Sequence, residues 1–390
     1  LNSLRRIQND GHKCTIFAIV TFAYWFSLFV YVPILPSYVE NMESSYIFIG
    51  FVLGSYGLMQ IVARLPFGIL SDYMNVRRPF VIFGLCTSIF SCFGFALTDG
   101  PIGALVFRAI AGISAATWVA FTVLYASYFS GKKTAWAMGS IQCIMVIAQL
   151  ISMGLSGFLV NKWGWHAPFW LGGIVGGFGL VLSLYITETE GDSTRTPIKM
   201  KELTSVIRDP TLCKVSLLSI FAHSILFITM FGFMPAYALH IGADRDNLAL
   251  LVFSFMLPHA IASLVSGKIL VPILGQWTTL MSGFLGSTVF TLMIPFIHHF
   301  GWLCLAQIFN GFTLGLTFPL LMSMSIQSTA SEKKATAMGF YQAVYAIGMF
   351  IGPFLAGGVS TAFGLEGGFI LASTIGMLAA CLSFYWSKEK

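Results

Sequence analysis

Apolar runs long enough to cross a bilayer recur along the whole 390-residue chain, separated by short polar stretches. A membrane-spanning helix needs about 20 apolar residues. Twelve runs meet that length, at roughly 14–36, 46–70, 79–98, 101–128, 135–160, 166–187, 212–239, 247–271, 277–297, 301–326, 335–361 and 367–387. The longest polar stretch, 188–211, carries charges of both signs and divides the runs into two sets of six. The expected organisation is a six-helix bundle over 1–187, a cytoplasmic linker over 188–211 with a short surface helix at 199–208, and a second six-helix bundle over 212–390.

Composition agrees with the pattern. The chain is 57% hydrophobic and 9% charged, with a mean hydropathy of +0.83. A soluble domain carries about a quarter charged residues, so no soluble fold of this length hides so much apolar surface. The expected class is an all-α polytopic membrane protein. Glycine is abundant, at 39 residues, as close helix packing in lipid favours. The seven cysteines are scattered and form no CxxC pair, so they read as small buried hydrophobes rather than metal ligands or a disulfide frame. The first apolar run is too long and too aromatic for a cleavable signal, and none is expected.

The distribution of positive charge gives an orientation. Read with the N-terminus inside, seventeen of the 21 lysines and arginines fall in cytoplasmic segments, and only Lys162 and Arg245 fall outside. Arg64 and Arg108 lie within the runs. This bias predicts cytoplasmic N- and C-termini and accounts for the net charge of +6 without nucleic acid as a partner.

The two halves share sequence. Ala137-Met138-Gly139-Ser140-Ile141-Gln142 recurs as Ala337-Met338-Gly339-Phe340-Tyr341-Gln342, each copy after a lysine pair. Gly164 and Phe169 match Gly364 and Phe369, and Arg108-xxx-Gly112 matches Gln307-xxx-Gly311. Parallel duplication of six spans is a transporter architecture.

Between the second and third runs lies RLPFGILSDYMNVRRP, Arg64 to Pro79. Gly68, Leu70, Ser71, Asp72, Arg77 and Arg78 resemble the cytoplasmic loop motif of the major facilitator superfamily, G-x-L-[A/S]-D-x-x-G-x-[R/K]-[R/K]. Asn75 stands for the second glycine and Tyr73 for a common basic residue. With the repeat, the resemblance covers essentially the whole chain. It implies twelve transmembrane helices in two pseudo-symmetric six-helix bundles, working by alternating access. It also implies that Gly68, Asp72, Arg77 and Arg78 form a conformational switch, a charge-assisted network at a helix N-terminus. The competing interpretation of Asp72 is a solvated loop charge. The second copy has Val271 in place of the acid, so the latch would be asymmetric.

Arg108 lies about seven residues into the fourth run, roughly 10 Å deep at 1.5 Å per residue. Arginine there is costly and faces the bundle interior or a cavity. Arg108-xxx-Gly112 resembles the family's R-x-x-x-G motif, which implies proton coupling or an anion contact; the alternative is a structural arginine held by carbonyls and glutamines. Arg64, nearer the cytoplasmic end, reads as structural. His223 and His259 fall near the middle of the seventh and eighth runs and are candidates for proton coupling and for substrate contact; the alternative is simple hydrogen bonding. His298 and His299, at an outer loop, make no metal site as an adjacent pair. Gln142, Gln149, Asn310 and Gln342, with Gln60 and Gln307, either glue helices together or line a polar path. Trp25 and Tyr345, among other aromatics such as Tyr24, Trp118, Phe227 and Tyr341, offer surface for a planar or amphiphilic solute. No aspartate or glutamate lies in the middle of a predicted span.

A G-x-x-x-x-G-K-[S/T] loop is absent, and no nucleophile–base set appears, so neither an ATP-driven pump nor an enzyme is expected. No cofactor or metal is expected. The glycine–proline signature of family exporters belongs in span 5, but here Gly348-xxx-Gly352-Pro353 lies in span 11, which weakens the argument for export. The overall similarity is nevertheless closest to drug and metabolite efflux members. The expected function is alternating-access transport of a small amphiphilic organic solute, as proton-coupled efflux by an antiporter. The alternatives are uptake or facilitated transport of an anionic metabolite through Arg108, and a lipid flippase-like carrier. Expected partners are the small-molecule substrate, protons and the lipid bilayer, with the chain acting as a monomer in a bacterial plasma membrane.

Overall fold

The computed structural model describes residues 2–42, 44–74, 76–129, 134–188, 208–327 and 334–388. Most of the expected linker, with its surface helix at 199–208, lies outside the described residues, as do both lysine pairs, except that Lys334 opens a helix. Among the described residues the structure is helical, with no strand.

Among the described residues, eleven helices are long and apolar enough to cross a membrane, and one shorter apolar helix completes the series. In chain order they are α1 (Lys13–Glu40), α2 (Tyr46–Gly68), α3 (Arg78–Leu97), α4 (Pro101–Tyr125), α5 (Ser140–Trp163), α6 (Ala167–Ser183), α7 (Pro210–His240), α8 (Arg245–Ser263), α9 (Gln276–Phe296), α10 (Phe300–Ser325), α11 (Gly339–Phe363) and α12 (Leu365–Ser387). The twelve expected runs therefore all appear as helices. Large apolar side chains such as Ile102, Ile174, Phe178 and Trp302 remain exposed on them. In lipid such a face needs no cover, provided the backbone is satisfied within each helix.

Contacts group the chain into two compact units. Unit 1 comprises 1–31 and 62–197, and unit 2 comprises 32–61 and 198–390. In unit 1, the glycines of α6 bring it close to α1 and α3. A Cβ at Gly172 would sit 3.0 Å from Cys92 and Val30, and one at Gly179 would sit 2.8 Å from Ala23. In unit 2, Gly352 of α11 is similarly close to Ser224 of α7, and Gly315 of α10 to His259 of α8. The N-terminal part of α2 packs on α11, with Gly54 and Gly57 against the Phe350 and Met349 backbone. Small residues permit such approaches, which replace the hydrophobic drive that lipid does not supply.

The internal repeat is visible in local geometry. Gly164 and Gly364, matched in sequence, both adopt left-handed φ (86° and 76°) before α6 and α12, where a side chain would be strained. Both α1 and α7 are interrupted near a proline. A 3₁₀ turn at Val32–Ile34 precedes Pro36, and a widened turn at Thr229–Phe233, with Gly232 at φ −119° and ψ −111°, precedes Pro235. Proline supplies no N–H to continue the ladder. Thr117 and Thr317 each turn their hydroxyl back onto the carbonyl three residues earlier, at 2.8 and 2.7 Å, where α4 and α10 are broken. Such back-bonding bends helices.

Candidate functional site

Unit 2 holds a cluster of histidine and aromatic rings contributed by four helices. His223 of α7 lies parallel to Tyr345 of α11, with ring centroids 3.9 Å apart and planes 1° from parallel. Phe318 of α10 meets His223 edge-on at 4.8 Å and His259 of α8 at 5.4 Å. Phe255, one turn before His259, lies 5.6 Å from it. The Nδ1 of His223 is 2.8 Å from the Ser219 carbonyl. A carbonyl only accepts, so this nitrogen carries the proton, and Nε2 is the basic nitrogen of the ring. The Ser219 hydroxyl donates to the Tyr341 hydroxyl at 2.8 Å and lies 3.2 Å from His223 Nδ1. One serine thus ties α7 to α11 and orients the imidazole.

The two histidines and Tyr345 therefore come together, as candidate residues of one site. Gln342 is half-buried, next to Tyr341 on α11. Asn310 turns toward α9 instead, where its Oδ1 accepts from Ser287 at 2.8 Å. Phe318 and Ser219 were not singled out from the sequence. Their only signal is position on apolar helices that carry many similar residues. His299 has a different role: its Nδ1 accepts from the Gly301 amide at 3.2 Å and caps α10.

Unit 1 has an aromatic wall. Tyr24 stacks on Phe121 at 4.4 Å and donates its hydroxyl to the Ser114 carbonyl at 2.5 Å. Trp25 meets Trp118 at 5.0 Å, and its buried Nε1 has no hydrogen-bond partner among the described residues. Gln142 and Gln149 follow one another at two-turn spacing on α5; the former's Oε1 is buried without a hydrogen-bond partner among the described residues. Arg108 is 2% exposed. Its Nη1 donates to the Tyr31 hydroxyl at 3.5 Å, and its guanidinium lies 5.7 Å from the Tyr31 ring centre. Tyr31 packs in turn on Phe95 and Phe169. Arg108 thus sits in the packed interior of its own unit. Arg64 of α2 is also buried.

The loop motif occupies the join between α2, whose helix continues to Tyr73, and α3. The side chain of Asp72 lies outside the described residues, and a Cβ at Gly68 would meet nothing within 4 Å. The Arg77 guanidinium donates to the Ser71 carbonyl, closing the end of the α2 helix. Glu188, just beyond α6, accepts from the backbone amides of both Arg77 and Arg78, at 2.9 and 2.5 Å. Arg78 Nη2 donates to the Leu184 carbonyl at 2.6 Å. A carboxylate at the α3 N-terminus meets unpaired N–H groups and the positive end of the helix dipole. Glu188 escaped the sequence reading because its partners lie more than a hundred residues away.

The family model for the Major Facilitator Superfamily matches residues 17–244 and 217–390. The inner membrane transport protein YajR of Escherichia coli is 26% identical over 364 residues, covering 90% of this chain and 78% of YajR. The mouse MFS-type transporter SLC18B1 is 26% identical over 365 residues, covering 86% of this chain and 77% of that protein. A crystal structure of a mutant of the nucleoside transporter NupG superposes with a TM-score of 0.83 at 11% identity, covering 96% of this chain and 99% of that one; it shows the shared fold. The chain belongs to the Major Facilitator Superfamily and is a multi-pass membrane transporter, not an enzyme.

Proposed function

We propose that the transporter exports a small amphiphilic organic solute by alternating access, in exchange for protons. The repeats over 1–187 and 212–390 would be its two working halves, and both termini would lie in the cytoplasm of a bacterial cell, with the chain acting as a monomer. The observation that carries the proposal is the His223–Tyr345 stack in unit 2, flanked by Phe318 and His259. Histidine is the side chain whose ordinary titration falls between pH 5 and 8. No acidic residue lies in the middle of a span to take that role. The surrounding π-surface suits a planar or amphiphilic ligand. His223 is therefore assigned the proton, and Tyr345, Phe318 and His259 the solute.

Trp25, Gln142, Gln149 and Gln342 are assigned to solute contact on the same grounds of chemistry. Gly68, Asp72, Arg77 and Arg78 are assigned to the conformational switch. Arg108, buried beside Tyr31 in unit 1, is assigned to an anion contact or to proton coupling, as its R-x-x-x-G spacing implies. The test is proton movement in sealed proteoliposomes when amphiphilic cations, neutral drugs and organic anions are added in turn. Proton release or uptake with the first two classes supports exchange; substrate flux without any proton response refutes it.

A further inference from the structure

On α9 and α10 of unit 2, four buried polar atoms have no hydrogen-bond partner among the described residues: Thr291 Oγ1, both amide atoms of Gln307, and Asn310 Nδ2. All three residues are fully buried. They lie on α9 and α10, neighbours joined by a short turn and packed together. The bond from Ser287 to Asn310 sets the register between these antiparallel helices. Thr291 is one turn beyond Ser287 on α9, and Gln307 is one turn before Asn310 on α10. On antiparallel helices both steps run the same way, so Thr291 and Gln307 form the next rung.

Unit 1 has the corresponding rung with a different filling. An offset of 199 carries Gly84 and Ser88 onto Gly283 and Ser287, Arg108 and Gly112 onto Gln307 and Gly311, and Pro36 and Tyr38 onto Pro235 and Tyr237. The same offset pairs Thr291 with Cys92, Asn310 with Ala111, and Met230 with Tyr31. In unit 1 the long Arg108 side chain reaches the Tyr31 hydroxyl, and Cys92 donates to the Ser27 carbonyl at 3.2 Å. In unit 2 the side chain is shorter, the hydroxyl opposite is replaced by methionine, and two further polar groups are added.

We propose that unit 2 binds ordered water between α9 and α10, held by Thr291, Gln307 and Asn310. A buried donor or acceptor left unmet is costly, and native interiors meet it with protein or water. The set needs a partner that both donates, to the Gln307 carbonyl oxygen, and accepts, from the two amide nitrogens. Water does both, and it is held by two to four such groups. An ion does not fit, because α9 and α10 carry no aspartate, glutamate, lysine or arginine to balance it in a dry interior. The site is independent of the solute and of the coupling ion.

The test is a structure of the purified full chain at a resolution that shows ordered water, together with thermal unfolding of Gln307→Met. Density within hydrogen-bond distance of the Gln307 amide, and a Tm lowered by a few degrees in the variant, support the site, because methionine fills the space but strands the water. No density there overturns it. A raised Tm in Gln307→Met also overturns it, since it would mean that the amide was buried without any partner. Thr291→Val, which removes one hydroxyl without changing shape, provides a second reading should the methionine variant fail to fold: a lowered Tm supports the site, and an unchanged or raised Tm counts against it.

Discussion

The imidazole of His223 lies face to face with the Tyr345 ring, 3.9 Å away and 1° from parallel, while its Nδ1 is held by the Ser219 carbonyl. With Nδ1 protonated, Nε2 is the ring's basic nitrogen, the position that the proposal assigns to proton exchange. Removing the face contact should loosen the imidazole without removing it. Tyr345→Leu is expected to weaken solute binding roughly fivefold, from the loss of about 1 kcal/mol of ring stacking. Tyr345→Phe should remain close to the parent. Tryptophan-quenching titrations with a planar amphiphilic probe measure both; equal losses in the two variants would place the hydroxyl, not the ring, in the contact.

The face of α2 that packs in unit 2 leaves no room for side chains. A Cβ at Gly54 would lie 2.6 Å from the Phe350 carbonyl oxygen, and backbone cannot yield cheaply. Gly54→Val is expected to cost about 1–3 kcal/mol, seen as a lowered Tm. Gly68, by contrast, has open space around its Cβ position. Gly68→Ala should leave Tm unchanged or slightly raised, since alanine favours helix. If Gly68 serves the switch, bulky Gly68→Leu slows transport while the protein stays folded.

If the proposed alternating access operates, contacts of the N-terminal part of α2 break and reform. The Ile47 amide donates to Thr361 Oγ1 at 2.9 Å. A disulfide between Ile47→Cys and Thr361→Cys is expected to stop transport and to release it on reduction. Full activity in the oxidised state, with the bond verified by mass spectrometry, would count against movement at this contact.

Glu188 closes the N-terminus of α3 through two backbone amides. Glu188→Ala should cost about 1 kcal/mol, the usual scale for a lost N-terminal cap, and Glu188→Gln should recover most of it because its carbonyl oxygen still accepts. Hydrogen exchange at the Arg77 and Arg78 amides reports this directly; protection unchanged in the alanine variant would remove Glu188 from that role.

How far the sequence could be read follows from what each feature depends on. Helix number, the repeat and the loop motif depend on run length and local spacing, and Gly164 and Gly364 matched in sequence before they matched in φ. Which face each helix shows its neighbours was not legible, because helices apolar all round carry no periodicity. Phe318 is one of 37 phenylalanines, and only the packed structure sets it between two histidines. Asn310 and His259 both sit at mid-span depth, yet the Ser287 bond turns Asn310 toward α9. The grouping of 32–61 with the second unit likewise depends on glycines whose partners lie some 300 residues away.

The most direct measurement is internal pH in sealed proteoliposomes during addition of an amphiphilic solute, for the parent and for His223→Gln. The parent is expected to move protons with the solute. His223→Gln is expected to lose the response to an imposed pH gradient while still exchanging labelled solute for unlabelled. Proton movement preserved in His223→Gln would contradict the assignment of the coupling proton to this ring.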